Sequence, residues 1–120
     1  MLRSWYFIAW LPTVVFAADR ATQEAKTHFQ AGQTKYKLGR FDEALADYSK
    51  AYELKPIPSF LFNIGQCHRQ LQNYKQAIFF LEGYLRDVPE APNKNVVAEL
   101  IAEARKLLKE EESKARIEKV

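Results

Sequence analysis

Cysteine is almost missing from this chain. Cys67 is the single one in 120 residues, so no internal disulfide can form and stability must come from packing. It is expected to fill the core; the alternative is a disulfide between copies. Histidine is scarce too, and His28 and His68 do not have the spacing of a helical zinc site. Cys67 and His68 are adjacent, so on a helix they point about 100° apart and would share a metal poorly. No glycine-rich loop follows a strand to cradle a phosphate. Cys67 has neither a base nor a thiolate-stabilising neighbour in the pattern. The carboxylate runs Asp42-Glu43 and Glu110-Glu111-Glu112 suit a helix start and a solvated face. These absences point away from an enzyme, a metal centre and a bound cofactor. A basic block is lacking as well. The chain has 18 Lys and Arg against 15 Asp and Glu, a net charge of +3, with the signs interspersed. That pattern gives no footprint for nucleic acid or anionic lipid.

No apolar run approaches the ~20 residues that a membrane-crossing helix needs. The longest, Trp5–Phe16, is interrupted by Pro12 and Thr13 and follows one charge, Arg3. It ends in Val14-Val15-Phe16-Ala17-Ala18-Asp19, which places Val15 and Ala17 at −3 and −1 for cleavage after Ala17. A short charged start, a short apolar stretch and small residues at the end are the build of a secretory signal, expected over residues 1–17. An uncleaved anchor and a buried N-terminal helix are the alternatives.

What the chain does contain is a pattern written twice. Phe29, Gly32, Leu38, Phe41, Ala44, Leu45, Tyr48, Ala51 and Pro56 are followed 33 residues later by Phe62, Gly65, Leu71, Tyr74, Ala77, Ile78, Leu81, Tyr84 and Pro89. Self-similarity at this period marks a helical repeat array. The spacing predicts helices over about 19–38, 41–55, 59–71 and 74–87, with Gly39 ending the first in a left-handed conformation. Asp42 and Glu43 suit the start of the second, and Pro56, Pro58, Pro89 and Pro92 break the chain. A last helix begins near 93–95, with Val97, Leu100, Ile101, Ala104, Leu107 and Leu108 at helical spacing. It is expected to cap the array and to project its final turns into water; a partner-docking helix is the alternative. Gly32 and Gly65 are expected at close helix crossings, Tyr48 and Leu81 as the fillers between helices. Leu38 and Leu71 are expected to close the far end.

The spacing of Gly32, Gly39, Phe41, Ala44, Tyr48, Ala51 and Pro56 resembles the tetratricopeptide repeat. The second unit keeps Gly65, Tyr74, Ala77 and Pro89 and departs at Gln72, Leu81 and Tyr84. In the first unit His28 and Lys35 stand where the family has a bulky hydrophobe and a tyrosine, which predicts a loosely sealed outer helix. The segments 60–69 and 77–85 resemble small secreted repeat proteins of Gram-negative, myxobacteria-like bacteria. The resemblance implies an all-α fold of tandem antiparallel helix hairpins, with repeats at about 25–57 and 58–90 and a capping helix over 91–120.

It also implies a concave groove lined by the first helix of each hairpin. Carried onto this sequence, the groove takes Lys26, Phe29, Gln30, Gln33, Tyr36 and Lys37 from one repeat and Phe62, Asn63, Gln66, Arg69 and Gln70 from the other. Apolar anchors, backbone-binding amides and cations suit an extended or helical peptide with some acidic character; ordinary surface and interhelix packing is the alternative. The family's chaperone clamp is incomplete. Phe29 and Gln33 hold its first places, Asn63 matches, and Val96 or Val97 lies where an arginine is needed. The function expected is an exported, non-enzymatic scaffold for a protein or peptide, in the periplasm or envelope, with no membrane contact for the mature chain. The alternatives are a self-associating envelope module and a membrane-tethered accessory protein.

Overall fold

A computed structural model describes residues 11–120. It contains five helices: α1 (Leu11–Lys37), α2 (Phe41–Leu54), α3 (Pro58–Gln70), α4 (Tyr74–Asp87) and α5 (Lys94–Glu118). Among the described residues there is no strand. The helices form two antiparallel hairpins, α1–α2 and α3–α4, joined through α2 against α3 and closed by α5 against α4. This is the all-α solenoid that the repeat pattern predicts.

The 33-residue step reappears in the packing. A Cβ on Gly32 would lie 2.8 Å from the Tyr48 ring, and a Cβ on Gly65 would lie 2.8 Å from Leu81. Each glycine therefore marks a crossing too close for any side chain, filled by the residue sixteen positions later. The turns repeat as well. Arg40 donates its N–H to Lys35 O at 2.9 Å and Asn73 donates to His68 O at 2.8 Å, each wrapping the end of a first helix around a left-handed residue. That residue is Gly39, φ 75°, in the first hairpin and Gln72, φ 63°, in the second.

Two clusters make the core. Ala44, Tyr48, Ile64 and Cys67 join the hairpins. Leu61, Leu81, Tyr84, Ala91, Val97 and Ile101 join α3, α4 and α5. Ile64, Leu81 and Val97 are among the largest fully buried side chains, each contributing about 1.5–3 kcal/mol relative to exposure. Capping by α5 is anchored at its start, where the Tyr84 hydroxyl donates to Asn93 Oδ1 at 2.8 Å. Arg105 pairs with Glu82 further along. Every residue from Lys109 to Val120 is exposed, so the last turns project into water.

Three expectations need correction. Helix α1 is already formed at Leu11, the first described residue, not from near Asp19; no proline or glycine breaks the chain between Thr13 and Asp19. Residues 1–10 of the expected leader lie outside the described residues. Leu38 does not close the far end: it is 63% exposed, because α1 is outermost among the described helices. His28 and Lys35 do not leave that helix loose. His28 Nδ1–H donates to Asp47 Oδ1 at 2.9 Å and Lys35 Nζ donates to Asp47 Oδ2 at 2.5 Å, clamping α1 to α2.

Candidate functional site

Helical geometry sorts α1 about its crossing glycine. At 100° per residue, Phe29 and Tyr36 lie about 40–60° to one side of Gly32, and His28 and Lys35 lie as far to the other. The first flank meets α3. Phe29 stacks on Phe60 with ring centroids 5.1 Å apart, and Gln70 Nε2 donates to the Tyr36 hydroxyl at 3.2 Å. The two first helices thus stand side by side and offer a common face.

The eleven expected groove residues divide by exposure on this face. Lys26, Gln33, Lys37 and Gln70 are exposed, and so is Gln30. Phe29, Tyr36, Phe62, Asn63, Gln66 and Arg69 are half-buried. Phe29 also packs on Tyr48 at 5.7 Å, and Phe62 packs on Tyr84 at 5.6 Å. Both rings are structural members that keep only part of their surface for contact. Asn63 Nδ2 donates to Ser59 O at 3.2 Å, and Arg69 Nε donates to Gln66 Oε1 at 2.9 Å. The eleven positions carry three cations, Lys26, Lys37 and Arg69, and no carboxylate.

One end of the face holds a feature that the repeat positions alone do not reveal. A cleft of ≈ 390 Å³ opens between the middle of α1 and the α2–α3 connection with the start of α3, lined by Thr22, Ala25, Lys26 and Phe29 on one side and Lys55, Ile57 and Phe60 on the other. Lys55 and Ile57 belong to the proline-flanked connection Lys55-Pro56-Ile57-Pro58. The prolines stop α2 and hold the segment extended beside α1. That rigid, apolar-containing linker was the signal available in the sequence.

Titration behaviour follows burial. Burial pushes the Cys67 thiol up to about 12 and is the main cause that takes the Tyr48 hydroxyl to about 12. Neither is a nucleophile at neutral pH. Partial burial pushes the Asp47 carboxyl upward, but the hydrogen bonds from Lys35 and His28 outweigh it and leave the group below its ordinary 3.8. His68 is lowered from 6.5 by burial; its Nδ1 is buried with no hydrogen-bond partner among the described residues, and its ring stacks on Phe80. Among the described residues, no group of three or more His, Cys, Asp or Glu could hold a metal ion. No described helix is long and apolar enough to cross a membrane.

No curated protein matches the chain. The family model for the tetratricopeptide repeat matches residues 29–92, which spans both glycine crossings, both turns and the aromatic face between α1 and α3. With that match covering more than half of its length, the chain belongs to the tetratricopeptide repeat family, whose repeats generally serve as non-catalytic scaffolds for protein interaction.

Proposed function

We propose that this protein is an exported scaffold that holds a segment of another protein along the α1–α3 face. The observation that carries the reading is the pairing of exposed polar groups with a fixed aromatic floor. Gln33, Lys37 and Gln70 are exposed beside Phe29, Tyr36 and Phe62, whose rings are already held by Phe60, Phe41 and Tyr84. A floor that is rigid before binding spares a partner the entropy of ordering it. Exposed amides can pair with the backbone of an extended segment. Export rests on the charged start, short apolar run and Val15/Ala17 pattern of the sequence, and on the resemblance to small secreted proteins of Gram-negative bacteria. The periplasm or envelope is the corresponding location.

Two measurements test this. N-terminal sequencing of the protein recovered from its cell should begin at Ala18; a start at Met1 overturns export by a cleaved leader. Photo-crosslinking residues placed at Gln33 or Gln70 should capture a partner that the same group at Lys75, exposed on α4, does not. Equal capture from both places overturns the face, and a product of two copies assigns it to self-association.

A further inference from the structure

The cleft at the end of the α1–α3 face differs from the rest of it in chemistry. Its floor is apolar: Phe29 and Phe60 lie nearly parallel, their planes 23° apart, with Ala25 below and Ile57 as a wall that is 44% exposed. Its rim is cationic. Lys26 and Lys55 both line it, and neither forms an ion pair among the described residues. A second crevice, where the α3–α4 turn meets α5, is lined by Tyr74 and Leu108 together with Lys75, Glu111 and Glu112. Its two carboxylates outnumber its one lysine, so it has no surplus of cations.

We propose that this cleft is the anchor point of the scaffold: it takes one bulky apolar side chain from an acidic peptide segment whose flanking carboxylates meet Lys26 and Lys55. The assignment rests on the partner-binding reading of the α1–α3 face and specifies where and how binding is anchored. Its volume falls in the range of about 300–1,000 Å³ typical of ligand clefts, so one side chain with adjoining backbone fits. An apolar anchor in a pocket supplies most of the affinity of a small interface. Two lysines with no ion-pair partner among the described residues favour carboxylates and disfavour a basic segment, so they act mainly on partner choice. Helix α1 and the stiff linker fix the backbone positions from which the two lysines reach the rim. Lys26 rides on a helix and Lys55 is held by the prolines that follow it.

The test is an amide-resolved NMR titration of the full chain with the peptide acetyl-Glu-Glu-Leu-Glu-Asp-amide. Its control is the analogue in which Gln and Asn replace the acids. Shifts are expected at Ala25, Ile57 and Phe60. The neutral analogue, and the acidic peptide with the Lys26→Glu/Lys55→Glu variant, should each bind about tenfold more weakly or worse. Both lysines are at least partly exposed, and the variant's own spectrum reports its fold. Ile57→Asn should abolish the shifts while leaving the charges of the cleft unchanged. Equal binding of the neutral analogue overturns the role of the rim. Shifts confined to Gln33, Gln66 and Gln70 overturn the cleft while leaving the wider face intact. Binding of decanoate but not of the peptide overturns a peptide occupant in favour of a lipid. Cleft shifts that appear on concentration alone overturn it in favour of a second copy. If the crosslinks at Gln33 and Gln70 fail while the cleft shifts remain, the face reading falls and the anchor stands.

Discussion

His28, Asp47 and Lys35 in the first hairpin correspond, 33 residues later, to Leu61, Phe80 and His68 in the second. In the first hairpin these positions form a hydrogen-bonded ion clamp, with His28 and Lys35 side chains 37% and 35% exposed. In the second, Leu61 is buried, and Phe80 packs against both core clusters and stacks on His68. The backbone plan is the same and the environment is not. The flank of the second hairpin lies against the first and must be apolar. The corresponding flank of the first faces water, where an apolar triad would leave a sticky surface. Residues that depart from the repeat pattern are therefore informative. They mark which face of the unit has a neighbour.

The sharpest break of the parallel is at the crossings. Gly65→Leu should destabilise the fold by about 1–3 kcal/mol or more. Gly32→Leu should cost less, because Gly65 also meets the backbone nitrogen of Leu81 at 3.3 Å, whereas the three nearest atoms at Gly32 all belong to the Tyr48 side chain. Urea unfolding of both variants measures the order. The turns should then respond with opposite sign. Gly39→Ala places a Cβ residue at φ 75° and should cost about 1–2 kcal/mol, while Gln72→Gly relieves the same conformation at φ 63° and should gain up to about that much.

The two flanks also titrate differently. Asp47 is depressed in the folded state, so its contribution is complete above 3.8 and is lost as pH falls through the folded value. His68 is also depressed, from 6.5, so its penalty sets in below 6.5, in the range where Asp47 is still fully ionised. Melting temperature against pH should accordingly fall in two stages on the acid side. His68→Leu should remove the upper stage and Asp47→Asn the lower. Asp47→Ala should also cost about 1–2 kcal/mol at neutral pH, since it strips the acceptor from two charged or polar donors. The smallest effect is expected at Gly83. A Cβ there meets nothing closer than 3.5 Å, so Gly83→Ala should stabilise α4 by about 0.5–1 kcal/mol, read as a small rise in melting temperature.

Most of the architecture was legible in the chain. Pro56, Gly39 and the aromatic–alanine spacing set the bounds of α2 through α5 to within one or two residues, because helix ends depend on local chemistry. The crossings at Gly32 and Gly65 were legible for the same reason, since a fixed step exposes them. What escaped was non-local. Asp47 lies twelve residues beyond Lys35 and nineteen beyond His28, and nothing in the spacing announces that all three meet. Phe29 and Phe62 read as groove anchors, but whether a ring faces solvent or a neighbouring ring depends on Phe60 and Tyr84. The cleft escaped because Lys55 and Ile57 in its wall belong to the linker, and repeat patterns speak only for helix positions.

Cys67 is wholly buried, 0% exposed, at the junction of the two hairpins. Its thiol is held protonated by its surroundings up to about 12. An alkylating reagent can therefore consume it only during excursions that separate the hairpins. The solitary sulfur is a built-in stopwatch: its labelling rate in the native protein times the opening of the array at its middle, without any added probe.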